Sequence, residues 1–262
     1  MSKQKENNDI LEDVKTMLEF YQALGIEGIP VALKEPEKAG TAAFSGPCSR
    51  ENVEPGITAG EGPEAVTHRK YSLDEKIALL KEVREDIGDC TRCKLSKNRT
   101  TIVFGEGSPD AKIMFIGEAP GKEEDIQGRP FVGDAGILLT KLIEKMGLKR
   151  SDVYIGNIVK CRPPMNRDPE EDEVATCRQF IERQIGIINP EVIVTLGRIA
   201  LQTLLDNPKI KITAARGKFL DFKGIPVMPT FHPAYLLRNP SDKWKTWADA
   251  QKVLERIGLS GS

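Results

Sequence analysis

No stretch of the 262 residues is long and apolar enough to span a bilayer. The amino terminus, MSKQKENNDILEDVK, lacks the apolar core and cleavage site of a secretory signal, so a cytoplasmic, membrane-free address is the expectation. An excess of one charge is also missing. With 38 basic and 39 acidic residues the net charge is −1, which excludes a generally basic nucleic-acid binder. The balance is uneven, however. Residues 1–72 hold 8 Lys+Arg against 12 Asp+Glu, and the remainder holds 30 against 27. A mildly basic body of that kind can still bind a phosphate backbone through particular loops. Histidine is scarce, with His68 and His232 alone. The five cysteines are too few, and odd in number, for a disulfide framework.

What the cysteines do offer is grouping. Cys90 and Cys93 form a C-x2-C pair, and Cys161 and Cys177 follow some seventy residues on. Four converging thiolates make a complete ligand set for one metal centre, and spacing leaves zinc and an iron–sulfur cluster equally open. Cys48 lies apart in a Gly/Pro-rich stretch and is expected to be a free thiol.

Periodicity divides the chain. Residues 1–33 are expected to form an amphipathic helical extension, with Ile10, Leu11, Val14, Met17, Leu18, Tyr21 and Leu24 at three- and four-residue steps. Residues 34–70 have the composition of a flexible linker. The main domain, 71–258, begins with a capping box at Ser72 and Glu75. Strand signals at 112–117, 153–159, 191–197 and 218–231 alternate with helix signals at 136–147, 169–188, 198–206 and 246–258, and Pro169 falls in the expected first turn of its helix. That alternation predicts an α/β fold with a central, mainly parallel sheet and helices on both faces.

In such sheets ligands bind beyond the carboxyl ends of the strands. Three segments fall there: the loop Gly117-Glu118-Ala119-Pro120-Gly121, the neighbourhood of Asn157, and Phe231-His232-Pro233. The loop lacks both the GxGxxG spacing of dinucleotide sites and the Lys-Ser/Thr ending of a P-loop. Asn157 is a residue disfavoured in strands, and a polar side chain there needs a partner, either backbone or ligand.

The segments GEAPGKEEDIQGRPFVGDAG (117–136), GNIVKCRPPMNR (156–167) and HPAYLLR (232–238), with the four cysteines, closely resemble the family 4 uracil-DNA glycosylases. The resemblance runs from about residue 72 to 258 and leaves the first seventy or so unmatched. It implies a three-layer α/β/α sandwich, a [4Fe–4S] cluster on Cys90, Cys93, Cys161 and Cys177, and hydrolytic removal of uracil from DNA. Within it, Glu118 corresponds to a candidate water-positioning group and His232 to a donor toward uracil O2. Phe131 corresponds to the aromatic that stacks on the everted base, Asn157 to the amide that reads its edge, and Glu124 to the group that crowds C5. Gly117 and Ala119 belong to the loop around the base. Leu236, Leu237 and Arg238 correspond to a loop entering the minor groove, and Arg162 and Pro163 to a second backbone-contacting loop. Uracil-containing DNA, single- or double-stranded, is the implied partner of a monomer, with a protein partner for the amino-terminal helix as a further expectation. Two rivals remain: a non-catalytic binder of uracil-containing DNA, and a nucleotide-binding regulatory protein.

Overall fold

The computed structural model describes residues 71–259. The expected helical extension and linker, and with them Cys48 and His68, lie outside the described residues. Helix α1, Leu73–Ile87, starts at the expected capping box: Ser72 Oγ accepts from the Glu75 N–H and Glu75 reaches back to the Ser72 N–H. Strands β1 (Glu106–Gly107) and β2 (Ile113–Gly117) follow, then helices α2 (Lys122–Gln127) and α3 (Asp134–Lys145). Next come β3 (Tyr154–Asn157), α4 (Glu171–Ile188), β4 (Val192–Leu196) and α5 (Arg198–Leu204). The chain ends with α6 (Ile212–Ala215), β5 (Leu220–Phe222), β6 (Ile225–Thr230), α7 (Pro233–Arg238) and α8 (Lys243–Arg256).

The six strands form one sheet in the order β1-β3-β2-β4-β6-β5. The inner four run parallel, and the two edge strands are antiparallel. Every residue of β2, β3 and β4 is buried, as strands covered on both faces must be. The mainly parallel α/β architecture is therefore as expected, with helices flanking the sheet. Pro169 is a correction. It precedes the N-cap Glu170, whose own capping box with Glu173 starts α4, because the pair satisfies the first N–H groups without a proline.

Chain direction positions the site. From β2 the chain crosses to β3 on one side, whereas β4 leads to β6 on the other. Right-handed crossovers place those connections on opposite faces and open a crevice between the ends of β2 and β4. Gly117, Asn157, Gly197 and His232 all end at that edge.

Candidate active site

A cavity of about 500 Å³ opens at this carboxyl edge, within the range of small-ligand sites. Eight of the expected residues line it: Glu118, Ala119, Glu124, Phe131, Asn157, Pro163, His232 and Arg238. Asn157 closes β3 opposite Gly117 of β2 and is 1 % exposed. Its Oδ1 is buried, yet no described group donates to it. A desolvated acceptor without a partner costs about 1–3 kcal/mol, and no described group offsets that cost here.

Gly117 does not face the cavity but makes it. A Cβ at that position would overlap Asn157 Oδ1 and stand 2.6 Å from Phe131 Cζ. We expect Gly117→Ala to fold with little loss of melting temperature yet to lower turnover about a hundredfold, since both side chains must retreat from their positions. Thermal melting beside a kinetic assay checks it.

Phe131 sits in the left-handed region at φ 53°, unusual for an aromatic. The strain is held from three sides. Arg150 Nη1 donates to Phe131 O at 3.1 Å and Nη2 to Pro130 O at 2.9 Å, while Glu106 pairs with the same guanidinium. Glu124 Oε1 accepts from the Val132 and Gly133 N–H groups at 2.9 and 3.0 Å. Gly136 leaves the room that the Phe131 carbonyl occupies. One Glu124 oxygen is thus engaged in ordering the 131–133 loop.

His232 caps α7: its Nδ1 accepts from the Ala234 N–H at 3.1 Å. That bond places the imidazole proton on Nε2, the nitrogen left for a ligand. Gly197, at φ 91°, admits the histidine, since a Cβ there would lie 2.9 Å from His232 Cβ. The ring keeps part of its surface on the cavity and stands 5.7 Å from the Phe131 ring. Burial, reinforced by the positive charge of Arg238 and opposed by Glu124, pushes its pKa down to about 4. At neutral pH His232 is an uncharged donor.

Glu118 behaves in the opposite sense. Burial, with Asp168 adding repulsion and Arg198 opposing, raises its pKa to about 7. Asp168 lines the same cavity and is held by Arg198 Nη2 at 2.7 Å. A carboxylate poised near neutrality on the same cavity as a neutral imidazole donor suits general-base work on water.

The loops expected to touch DNA divide by exposure. Leu237 is 43 % exposed, but Leu236 is 3 % exposed and packs inside. The expectation for Leu236 is corrected: successive helical positions lie about 100° apart, so Leu236 turns into the interior and only Leu237 presents an apolar tip. Arg162 donates from Nε to Asn166 Oδ1 at 2.7 Å and so braces its own loop.

The four described cysteines are unpaired and line one small cavity with Ile87, Ile102 and Phe180. Helix α1 packs on α4, which carries Cys177, and so brings the C-x2-C pair to the later cysteines. Positive groups surround them. Arg92 lies 3.5 Å from Cys90 Sγ, Arg99 3.7 Å from Cys161 Sγ, and the Lys160 N–H donates to Cys177 Sγ at 3.3 Å. Burial pushes the Cys161 thiol up to about 12 and raises Cys177 too. A metal bound there must therefore displace protons. Among the described residues, no three His, Cys, Asp or Glu side chains are grouped to hold a single ion.

Several residues of the site were not read from sequence. Gly197 carried a signal, as a glycine at the end of a parallel strand. Asp168, Arg198 and Arg150 carried none, since each acts across the fold.

Comparison with known proteins gives the family. Residues 104–256 match the family model of the uracil DNA glycosylase superfamily. The chain is 54 % identical over 174 residues to a type-4 uracil-DNA glycosylase of Thermotoga maritima, covering 66 % of this chain and 89 % of the relative. A type-4 uracil-DNA glycosylase of Archaeoglobus fulgidus is 42 % identical, over 68 % of this chain and 94 % of its own. A type-5 uracil-DNA glycosylase of Thermus thermophilus is 39 % identical over 39 % of this chain and 53 % of its own. By the extent of these matches, the chain belongs to the type-4 uracil-DNA glycosylases of that superfamily.

Proposed function

We propose that this protein is a monofunctional uracil-DNA glycosylase, which extrudes deoxyuridine from DNA and hydrolyses its N-glycosidic bond. The observation that carries this reading is the orphaned Asn157 Oδ1 on the wall of a cavity it shares with His232 and Glu118. In the bound state Asn157 Oδ1 accepts from uracil N3–H and its amide nitrogen donates to O4. Cytosine opposes donor to donor and acceptor to acceptor, leaving buried groups unpaired. Phe131 supplies a ring face for stacking, Gly117 leaves the room that Phe131 and Asn157 occupy, and Ala119 lets the base approach the 117–121 loop. Glu124 orders the 131–133 loop and crowds the side of the base that carries C5.

As the N1–C1′ bond breaks, its electron pair stays on the base and positive charge develops on the sugar. His232 Nε2–H donates toward O2, where the negative charge grows, a contact worth about 3–4 kcal/mol. Ionised Glu118 positions water for C1′ and accepts its proton. Uracil and an abasic site are the products, and no amine attacks the sugar. Leu237 fills the space the nucleotide leaves, while Arg238, Arg162 and the rigid Pro163 segment border the DNA backbone.

We read the cysteine site as that of a [4Fe–4S] cluster, on the strength of the family the chain belongs to. All four thiols line one small cavity closed by Ile87, Ile102 and Phe180, an apolar, all-sulfur setting of the kind such clusters occupy. Cys90, Cys93, Cys161 and Cys177 would hold it. When bound, such a cluster would supply one-electron chemistry, and through it the four cysteines would tie the end of α1, α4 and the 161–168 loop together. Purified protein is expected to be brown with about four iron atoms per chain, and Cys161→Ser to lose colour and iron. Colourless protein containing zinc would overturn this assignment.

Unpaired thiols and such a cluster suit the reducing cytoplasm, where we place the protein as a monomer acting on DNA. No helix of the described residues is long and apolar enough to cross a membrane. The deciding experiment incubates the protein with a uracil-containing oligonucleotide and then alkali. Cleavage only after alkali supports the reading; an intact strand under enzyme excess refutes it, and a retarded but intact strand indicates a non-catalytic binder.

A further inference from the structure

We propose that Met165 is a second apolar wedge, which packs against the base stack beside the extruded nucleotide when the substrate is double-stranded DNA. The inference rests on the glycosylase reading above. Met165 is 95 % exposed, the most exposed large apolar side chain among the described residues. It also lies in the left-handed region, at φ 54° and ψ 21°, and Asn166 follows at φ 54°. A left-handed backbone at a non-glycine residue costs about 1–3 kcal/mol and persists only where its surroundings impose it.

Those surroundings are well defined. Arg162 holds the Asn166 side chain, and Arg167 grips Glu173 of α4 with two hydrogen bonds of 2.9 and 2.7 Å. The Asn166 N–H donates to Pro163 O at 3.1 Å and the Arg167 N–H to Pro164 O at 3.2 Å. Prolines 163 and 164 remove further backbone freedom. The loop's own hydrogen bonds and prolines thus impose a backbone that presents a thioether side chain to solvent.

Position identifies the occupant. Pro163, Asn166 and Asp168 line the cavity that takes the everted base, and Met165, between the first two in the chain, stands outside that lining in solvent. What lies beside a base drawn into that cavity is the stack it left. Methionine is among the side chains that insert between base steps, and its polarisable sulfur packs well on aromatic faces. Leu237 stands on a separate element, whose Arg238 lines the cavity. Two wedges from two loops can separate the steps on both sides of an extrusion. Single-stranded substrate, having no duplex stack, does not need either.

The test compares Met165→Asn and Met165→Leu with the unaltered full-length chain carrying its metal centre. Single-turnover excision is measured on one uracil-containing oligonucleotide, alone and annealed to its complement. Asparagine tolerates the left-handed backbone, so Met165→Asn is expected to melt no lower than the original. Its duplex excision is expected to fall about tenfold while single-strand excision stays within about twofold, and Met165→Leu to retain both. A 2-aminopurine placed next to the uridine should brighten less in duplex with Met165→Asn. Equal loss on both substrates, or no loss on duplex, overturns the wedge. Failure of the unaltered chain on both substrates instead overturns the glycosylase reading beneath it.

Discussion

Asn157→Ala is expected to lower uracil excision by about a thousandfold or more while leaving the fold at least as stable. Both effects have one cause. The Asn157 carbonyl oxygen is buried without a partner, so the apo protein carries its desolvation cost. Alanine removes that cost, and the space it vacates opens on the cavity instead of the core. The bound state, by contrast, loses an acceptor for N3–H and a donor for O4, so both uracil groups are buried unpaired. Single-turnover excision and thermal melting together check this. Normal excision by the variant would sink the base-reading role, and a large fall in melting temperature would mean that the amide is structural.

Glu118→Gln is expected to reduce excision about a hundredfold and to erase the pH dependence of kcat/KM. In the unaltered protein the rate should rise with pH through about 7, where Glu118 ionises. His232 titrates near 4 and so adds no limb between pH 5 and 9. Stability should move the other way. The folded pKa of Glu118 lies above its ordinary value of about 4.3, so the folded state binds the extra proton. The stabilisation is complete below about pH 4.3 and lost as pH rises through about 7. At pH 8 glutamine should therefore stabilise the protein, by up to about 3 kcal/mol. A pH limb that survives in Glu118→Gln would reduce the residue to ordering its loop. His232 has the opposite sign. Its depressed pKa gives stability present above about pH 6.5, and lost as pH falls through about 4. Acid unfolding should begin earlier than in His232→Gln.

Much of this was legible before folding was considered. Alternating apolar runs and helical periods located the four inner strands and the longer helices to within a few residues. The polar residue at the end of one strand, Asn157, already signalled a site. Short elements were missed: β1, α2, α6 and α7 span two to six residues, too few for a period to register. The antiparallel edges were missed because strand direction at an edge depends on the connection, not on composition. Leu236 and Leu237 look alike in sequence, yet a short helix buries one and exposes the other.

Residue order alone determined the fold class, the strand ends that border the cavity and the grouping of four cysteines, because periodicity and spacing are local properties of the chain. Only the packed molecule decided which polar atoms went without partners and which carboxylate was pushed toward neutrality. It alone set the tautomer of His232 and held Phe131 and Met165 in strained backbone. Those properties depend on desolvation and on neighbours distant in sequence, such as Asp168 and Arg198 beside Glu118, that meet only when the sheet closes.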